Sequence, residues 1–250
     1  NLNKELATDP TQWLVDFYDM ADGTEPILGY HADYSPIINP AAGYDEQNPY
    51  TNRDPRLAQS MLYHGLTWPK VNKGPHTVDI TTLEKWGSGY FLTKFLDDRI
   101  DHRDGGTTSM NFIMMRYAEV LLNYAEAVNE ASDSPDARQK AVARLNQIRE
   151  RAGISNPLVA SQFTQSTLRE RIRKERRVEL CFEEHRFFDI RRWKIANEVM
   201  KRPATGIAIE NGKFVRKVLD SRTYNERLDL LPLPNNEVNN CPLIYQNPGY

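Results

Sequence analysis

Four aspartates lie close together in one short stretch of the chain: Asp97, Asp98, Asp101 and Asp104. Carboxylates at this density can bind calcium, and a suitably spaced pair can cleave a glycosidic bond. The spacing lacks the terminal glutamate of an EF-hand loop, and Arg99 and Arg103 interleave the opposite charge. A solvated, charge-balanced loop is the better interpretation. We therefore predict neither a metal site nor a catalytic carboxylate in this stretch.

Large aromatic residues recur in the polar, turn-rich first part of the chain. The candidates for ligand binding are Tyr34, Tyr44, Tyr50, Trp68 and Trp86. A sugar ring packs its apolar face on a flat aromatic ring, while nearby polar groups fix its orientation. The alternative is that each ring packs its own loop onto the helices. Trp68 is the leading candidate, and we expect its removal to weaken binding roughly tenfold or more with little change in thermal stability.

Other reactive residues show no pattern that supports chemistry. His31, His64 and His76 lack metal-ligand spacing, and Cys181 and Cys241 form no CxxC pair. No P-loop, GxGxxG or Ser/His/Asp order is present, so we expect no cofactor and no enzyme activity. The formal net charge of -2 does not favour nucleic acid as a partner. No apolar run approaches the roughly 18 residues that a membrane span needs.

One predicted helix, residues 167–193, must position the rest of the chain. Thr167 and Glu170 have the spacing of a capping box and mark its start. The apolar residues at helical spacing are Leu168, Ile172, Phe182, Ile190 and Trp193, widened by Val178, Cys181, His185 and Phe188. Leu180 and Phe187 lie on the opposite side, so the helix is apolar on more than one face. Such a helix is surrounded by other elements.

Charged residues interrupt this apolar stripe at Glu175, Glu179 and Arg186. A buried ion without a partner is very costly, so each charge must be neutralised within the fold. We predict structural ion pairs for all three. For Glu179 the leading partners are Arg116 and Arg149.

A pair of helices is predicted before this element. The first has a stripe of Ile113, Tyr117, Val120, Leu121, Tyr124 and Val128. The second begins at Ser134-Pro135 and ends before Gly153, which sits where a C′ glycine belongs. Small residues at the crossing are typical of one tetratricopeptide-like unit, and one unit cannot bury its own face alone.

The remaining segments are predicted to be mostly irregular. Residues 21–56 form a long turn-rich region, 57–63 a strand or a short helix, and 90–96 a strand. Asn211-Gly212 between two apolar runs predicts a β-hairpin. The final segment has little helix potential, because Leu and Pro alternate at 231–234 and force an extended backbone.

Several passages together resemble one family of proteins. They are RYAEVLLNYAEAVNE (116–130), LNQIRERAG (145–153), RRVELCFEEHRFFDIRRW (176–193), LLPLPNNEV (230–238) and the final NPGY, with NPYTNRDPRL (48–57) and GYFLTKF (89–95) upstream. The chain is similar to the carboxy-terminal portion of the SusD/RagB family of outer-membrane nutrient-binding lipoproteins. The resemblance covers most of the chain.

The resemblance implies a mainly α fold of tetratricopeptide-like helical pairs with long irregular loops and a small β-hairpin. Residues 1–108 would be the loop-rich, ligand-facing region, and 109–250 the helical core and extended tail. The implied function is capture of glycans or oligopeptides at the cell surface. The implied partner is a SusC-like TonB-dependent transporter barrel. The membrane is reached only through a lipid anchor on an amino-terminal part that this chain does not carry.

Two other functions stay open. The helix pair alone would suit a helical-repeat scaffold that binds another protein, and the acidic stretch alone would suit a glycoside hydrolase. Aromatic residues in long loops favour ligand binding over the scaffold, because a pure scaffold keeps its loops short. The absence of a well-spaced carboxylate pair counts against the hydrolase. We expect ligand contacts to come from loops within residues 30–90 and not from the helices after Ser109.

Overall fold

The computed structural model describes residues 9–71, 74–82, 87–101, 104–109, 111 and 113–250. Its helices are α1 (Gln12–Phe17), α2 (Arg56–Ser60), α3 (Tyr117–Ala131), α4 (Pro135–Arg151), α5 (Gln165–Glu179), α6 (His185–Arg192), α7 (Ala196–Lys201) and α8 (Asn235–Asn240). Its strands are β1 (Ile27–Tyr30), β2 (Pro36–Ile38), β3 (Met61–Leu62), β4 (Thr67–Val71), β5 (Gly74–Thr77), β6 (Phe91–Leu92), β7 (Ala204–Glu210) and β8 (Lys213–Asp220). The predicted mainly α fold with small hairpins is confirmed.

The helix pair α3 and α4 packs against α5 around one hydrophobic cluster. Its members are Leu121, Leu122, Ala125, Ala141, Val142, Leu145, Ile148, Leu168, Ile172 and Leu180. Ser134 caps α4 by accepting a hydrogen bond from the Ala137 amide at 3.2 Å, and Pro135 occupies the first helical turn. Gly153 follows the helix with φ +83°, a backbone region that favours glycine. Both ends of α4 therefore follow their sequence signals.

The apolar face predicted for α3 is mostly on the outside. Tyr117 is 72% exposed, and Val120 and Tyr124 are exposed as well, while the helix begins only at Tyr117. The buried face carries the small residues Ala118 and Ala125 together with Leu121, Leu122 and Asn129. The helical period was right but the face was wrong, because alanines allow the closer approach and therefore take the interior side.

The long helix predicted for residues 167–193 is two helices, α5 and α6. Between them Phe182 and Glu184 have φ of +64° and +65° and turn the chain without a glycine. Glu179 ends α5, and α6 begins at His185. The prediction of one continuous helix is wrong, because the apolar spacing resumes in register after the break and hides it.

The start of α5 also differs from its prediction. Thr164, not Thr167, is the N-cap, and its hydroxyl accepts a hydrogen bond from the Thr167 amide at 3.2 Å. Thr167 returns the bond by accepting from the Thr164 amide at 2.9 Å. A capping box is thus present, with a threonine in the place of the usual glutamate.

A second hydrophobic cluster joins the first part of the chain to α5. It contains Val15, Tyr18, Leu57, Met61, Leu62, Val78, Ile80, Tyr90, Phe91, Val178 and Ile207. The segment 57–63 is a helix end followed by a strand, α2 then β3, and β3 pairs with β6. Only Phe91–Leu92 of the strand predicted for 90–96 forms.

Hairpins supply the remaining regular structure. β7 and β8 pair antiparallel across Asn211 and Gly212, whose φ values of +51° and +72° suit the predicted two-residue turn. β1 and β2 form a hairpin inside the region predicted to be irregular. The tail contains the short helix α8, so its predicted lack of helix is wrong: Pro234 ends the extended part and starts a helical turn.

A close backbone contact ties β7 to the loop before β6. The Ile207 amide donates to the Ser88 carbonyl at 2.8 Å. A Cβ atom on Gly206 would lie 2.6 Å from that same carbonyl oxygen, so only glycine fits there.

Candidate functional site

The charges on α5 are neutralised inside the fold by two connected groups of ions. Glu179 is 3% exposed, and its carboxylate accepts from Arg116 at 2.5 Å, Arg151 at 2.5 Å and Arg56 at 2.9 Å. Burial alone would raise the pKa of Glu179, but the hydrogen bond and charge of Arg116, followed by the charge of Arg56, lower it to about 2. Glu183 extends the group by accepting from Arg116 at 2.6 Å.

The second group is built around Asp19 and Glu175. Asp19 accepts from Arg171 at 2.5 Å and from Arg149 at 3.0 Å. Glu175 accepts from Arg56 at 2.7 Å, which links the two groups. Burial disfavours the charged form of Glu175, and the arginines outweigh it, so its pKa is lowered. Arg149, the other candidate partner for Glu179, therefore binds here instead.

Arg186 differs from this pattern. Within the residues that the structure describes, it makes neither an ion pair nor a hydrogen bond. Asp189 is the carboxylate whose charge acts on Arg186. It already accepts from Arg176 at 2.7 Å and from Arg192 at 2.9 Å. The structural ion pair predicted for Arg186 is therefore wrong, because the turn between α5 and α6 directs this residue away from the buried ion pairs of α5.

An aromatic cleft opens between the β1–β2 hairpin and the β7–β8 hairpin. We call it the Tyr34 cleft, a cavity of about 190 Å³ lined by Trp13, Asp16, Tyr30, Asp33, Tyr34, Ser35, Thr205, Arg216, Lys217 and Val218. The centre of the Trp13 ring lies 4.4 Å from that of Tyr30 and 6.0 Å from that of Tyr34, and Trp13 packs edge to face with both. Tyr34 is 43% exposed, so its ring is available to a ligand.

The rigid side of this cleft comes from buried and partly buried hydrogen bonds. Trp13 donates its indole N–H to the Pro203 carbonyl at 2.8 Å. Asp16 accepts from Arg216 through both oxygens, at 2.7 and 3.0 Å, and from the Tyr30 hydroxyl at 2.9 Å. Burial raises the pKa of Tyr30, and the neighbouring Asp16 raises it further, so the phenol stays protonated and donates.

Tyr34 projects from the tip of the β1–β2 hairpin under backbone strain. Its φ is +66°, a conformation that bulky residues rarely adopt and that is concentrated at functional sites. Asp33 holds the turn by accepting hydrogen bonds from the Ser35 amide at 3.0 Å and the Ser35 hydroxyl at 2.6 Å. The turn thereby presents one aromatic face beside a carboxylate and a hydroxyl.

A larger cavity of about 800 Å³ adjoins the Tyr34 cleft. The two cavities share Asp16 and Tyr30, and the larger one is bounded also by Phe17, Leu28 and Lys174. Ligand pockets usually measure roughly 300–1,000 Å³. The cleft alone is thus small, whereas both cavities together can take an extended ligand.

The other aromatic candidates do not join Tyr34. Tyr44 lies under the Arg53 guanidinium at 5.2 Å from the ring centre. Tyr50 stacks on Tyr63 at 4.1 Å, and Trp68 on β4 packs against the cluster around Tyr90. Trp86 lies outside the described residues. These rings are therefore spread over the loop region and do not form one site.

Trp13, Tyr30 and Arg216 belong to the cleft but were not predicted as site residues. Trp13 lies on α1, and Arg216 lies on the predicted β7–β8 hairpin. The hairpin alternation was the available signal, since Arg216 and Val218 fall on one side of β8. Pairing that side with α1 requires the tertiary fold.

The acidic stretch behaves as a local, ion-paired loop. Asp97 binds Arg99 at 2.7 Å, and Asp101 accepts from the Asp104 amide at 3.3 Å. Across the described ranges, no group of three His, Cys, Asp or Glu is arranged to hold a metal ion. In the same part of the chain, no helix has both the length and the apolar character to cross a bilayer.

Comparisons with known proteins agree on one family. The model of the SusD family matches residues 6–250. SusD-like protein P2 of Formosa agariphila is 42% identical over 154 residues, which are 59% of this chain and 27% of that protein. A SusD-like protein of Bacteroides fragilis superposes with a TM-score of 0.80 at 35% identity, covering 97% of this chain and 47% of that chain.

A second solved structure from the same species is described as a SusD-like carbohydrate binding protein. It superposes with a TM-score of 0.64 at 25% identity, covering 92% of this chain and 47% of that one. The chain thus spans about half the length of these structures, and about a quarter of the Formosa protein.

Proposed function

The chain belongs to the SusD family, and from this premise we propose that it is a non-catalytic protein that captures glycans for import. The observation that carries the proposal is the Tyr34 cleft. An exposed ring on a strained turn lies beside a carboxylate and a hydroxyl that hydrogen-bond to each other, which is the arrangement that sugar binding requires. A structural relative is described as carbohydrate binding, which supports the same ligand class.

The proposal extends to place and partner. The capture would occur at the outer cell membrane, with a lipid anchor and a TonB-dependent transporter barrel of the SusC type as partner. The support is family membership, and the full-length protein is the form in which both are to be tested. Oligopeptides are the alternative ligand, because the same aromatic and polar groups can also bind a peptide chain.

Binding of neutral oligosaccharides to the Tyr34→Ala variant tests the proposal. A glycan array identifies a bound oligosaccharide, and calorimetry then compares affinities. Loss of stacking on one aromatic ring costs on the order of 2 kcal/mol at a well-desolvated contact, so affinity should fall at least about tenfold. Tyr124→Ala on α3 is the matched control, since Tyr124 is 41% exposed and lies outside the cleft. Equal affinities for both variants would contradict the proposed site.

An enzyme is distinguished by product formation. We expect purified protein to release no reducing ends from oligosaccharides. If the wild-type protein releases reducing ends and the Asp98→Asn or Asp101→Asn variant does not, hydrolysis replaces binding as the proposed function.

The exposed face of α3 favours one second candidate, a scaffold for another protein. Tyr117, Val120 and Tyr124 form an apolar surface on a tetratricopeptide-like helix. Scattered exposed apolar residues are common, but a contiguous group of them marks an interaction surface. This function would be preferred if no oligosaccharide or oligopeptide bound and a purified protein partner bound only when Tyr117 was intact.

A further inference from the structure

A third cavity lies between α1 and the turn that separates α5 from α6. It measures about 560 Å³, and its lining includes Leu14, Phe182, Phe187, Phe188, Arg177 and Arg186. We call it the arginine pocket. Phe187 is 43% exposed and Phe188 65% exposed, with their ring centres 5.2 Å apart. Two cations therefore lie in a cavity that is also lined by three aromatic rings.

Neither arginine has an acidic partner in the part of the chain that the structure describes. The Arg177 guanidinium carbon lies 3.9 Å from the centre of the Phe17 ring. Arg186 makes no ion pair there, and Asp189 is already bound by two other arginines. Half-buried guanidinium groups without counter-ions are unusual, because desolvation of a cation is costly unless an anion compensates it.

The electrostatic surroundings add to this imbalance. Burial lowers the pKa of Arg177, and the charge of Arg186 lowers it further. Burial lowers the pKa of Arg186 as well; the charge of Asp189 opposes this shift, and the charges of Arg202 and Arg173 add to it. Arg202 itself is paired with Glu198. Asp189 and Asp16 thus act on the pair only from a distance, and among the described residues no carboxylate is bonded to either guanidinium.

Carboxylates near the pocket do not supply that anion. Asp9 and Glu184 line the cavity, yet neither forms an ion pair with the two arginines among the described residues. The pKa of Asp9 is raised by burial, the reverse of what a close guanidinium produces. Asp16 and Tyr30 influence Arg177 more weakly than burial and Arg186 do.

We propose that the arginine pocket binds the anionic group of an acidic oligosaccharide, a uronate carboxylate or a sulfate ester, between Arg177 and Arg186. The inference rests on the proposed glycan-binding function and names a substrate class for it. It departs from the expectation that no ligand contact comes from the helices after Ser109, because Arg177 and Arg186 lie on α5 and α6. Guanidinium groups bind carboxylate and sulfate oxygens through paired hydrogen bonds. The exposed Phe188 ring offers a stacking surface for a sugar ring beside that group. One face of Phe187 is covered by the Arg191 guanidinium, whose carbon lies 3.6 Å from the ring centre, so Phe187 offers only its other face.

The neighbouring cleft favours a glycan over an acidic polypeptide. Arg177 is close enough to Tyr30 and Asp16 of the Tyr34 cleft to interact with both electrostatically. Leu14 of the pocket and Trp13 of the cleft are successive residues of α1. The two cavities are thus neighbours on α1, and an oligosaccharide long enough to reach both would place its anionic group at the arginines.

The test compares three oligosaccharides of equal length in calorimetry: an oligogalacturonate, a sulfated galactan fragment and a neutral cello-oligosaccharide. We expect at least one acidic probe to bind about tenfold more tightly than the neutral one, and Arg186→Gln and Arg177→Gln each to remove that preference. The carboxylate and sulfate arms identify which anion the pocket prefers. Arg222→Gln, at an exposed position that lines neither cavity, is the control and should keep the preference.

Three results would overturn the inference. The first is an acidic preference that survives both substitutions. The second is a poly-glutamate peptide of equal charge that binds as tightly as the acidic glycan, in which case the pocket serves a polypeptide. The third is neutral and acidic probes binding equally with loss in Tyr34→Ala, which would leave the proposed function standing and remove only the anion subsite.

Thermal unfolding without any glycan gives an independent readout. Because Arg186 forms no ion pair with any residue that the structure describes, Arg186→Gln should leave the melting temperature unchanged or raise it. A drop of several degrees would show that Arg186 is neutralised within the protein and would contradict the anion subsite. The same drop would not affect the Tyr34 cleft, so the two proposals fail separately.

Discussion

Arg56 donates to Glu179 across 2.9 Å, although 123 positions separate the two residues in the chain. The same guanidinium binds Asp54 and Glu175, both buried, at 2.7 Å each. Arg56 belongs to α2 in the loop-rich part, whereas Glu175 and Glu179 belong to α5. The buried charges therefore fix the loop-rich part of the chain onto α5.

Arg56→Gln should lower the free energy of unfolding by about 3–5 kcal/mol, because it leaves three buried carboxylates short of a cation. Urea unfolding followed by circular dichroism measures the change. Arg169→Gln is the matched control, since its pair with Glu130 is exposed and should contribute less than about 1 kcal/mol. Similar losses in both variants would show that the buried group adds little.

Glu179→Gln should change how stability depends on pH. The pKa of Glu179 is about 2 in the folded protein and lies below its usual value of 4.5. Its contribution is therefore complete above pH 4.5 and is lost as the pH falls toward 2, by about 3 kcal/mol in total. The wild-type advantage over the variant should shrink accordingly between pH 5 and pH 2.

Urea unfolding at several pH values in that interval measures this advantage. Glu170→Gln, at an exposed position on the same helix, should show a nearly constant difference from wild type. An advantage of Glu179 that did not change with pH would mean that the carboxylate is not held ionised by its arginines.

Trp68→Ala should mainly affect stability. The Trp68 side chain is half-buried against the cluster that contains Tyr90, so we expect a loss of about 1–3 kcal/mol from reduced packing. The aromatic pattern alone predicts the opposite result, weaker binding at unchanged stability. Melting temperature and glycan affinity, measured together and compared with Tyr34→Ala, decide between the two expectations.

Gly206→Ala should destabilise the protein by about 1–3 kcal/mol, because the added methyl group would overlap the Ser88 carbonyl and separate β7 from its neighbour. Thermal unfolding is a sufficient measurement. Gly74→Ala is the control, since no atom lies within 4 Å of its added methyl group and it should change little. A stable Gly206→Ala protein would show that this backbone contact can relax.

Local patterns predicted the elements that local interactions form. Ser134-Pro135 and Gly153 placed both ends of α4, and Asn211-Gly212 placed the β7–β8 turn. The break between α5 and α6 was not predicted, because Phe182 and Glu184 adopt a left-handed backbone conformation although neither is a glycine and no proline lies between them. Nothing in their residue types indicates such a turn.

Pairwise contacts were predictable only in part. The position of Glu179 inside an apolar stripe predicted that it needs a cation, and Arg116 is one of its partners in the structure. Arg56 could not be named, because its segment lies far away along the chain and carries no mark of burial. Sites assembled from distant segments, such as Trp13 with Tyr34, need the tertiary fold for the same reason.

The bond between Arg56 and Glu179 also has a kinetic consequence. It closes a loop of more than one hundred residues, so chain entropy opposes its formation until most of the helical part has folded. Interactions that form after the rate-limiting step hardly affect how fast a chain folds and mainly slow its unfolding. We therefore expect the buried ion pairs to form late in folding and to slow unfolding. A protein lacking Arg56 should fold at nearly the normal rate but unfold much faster.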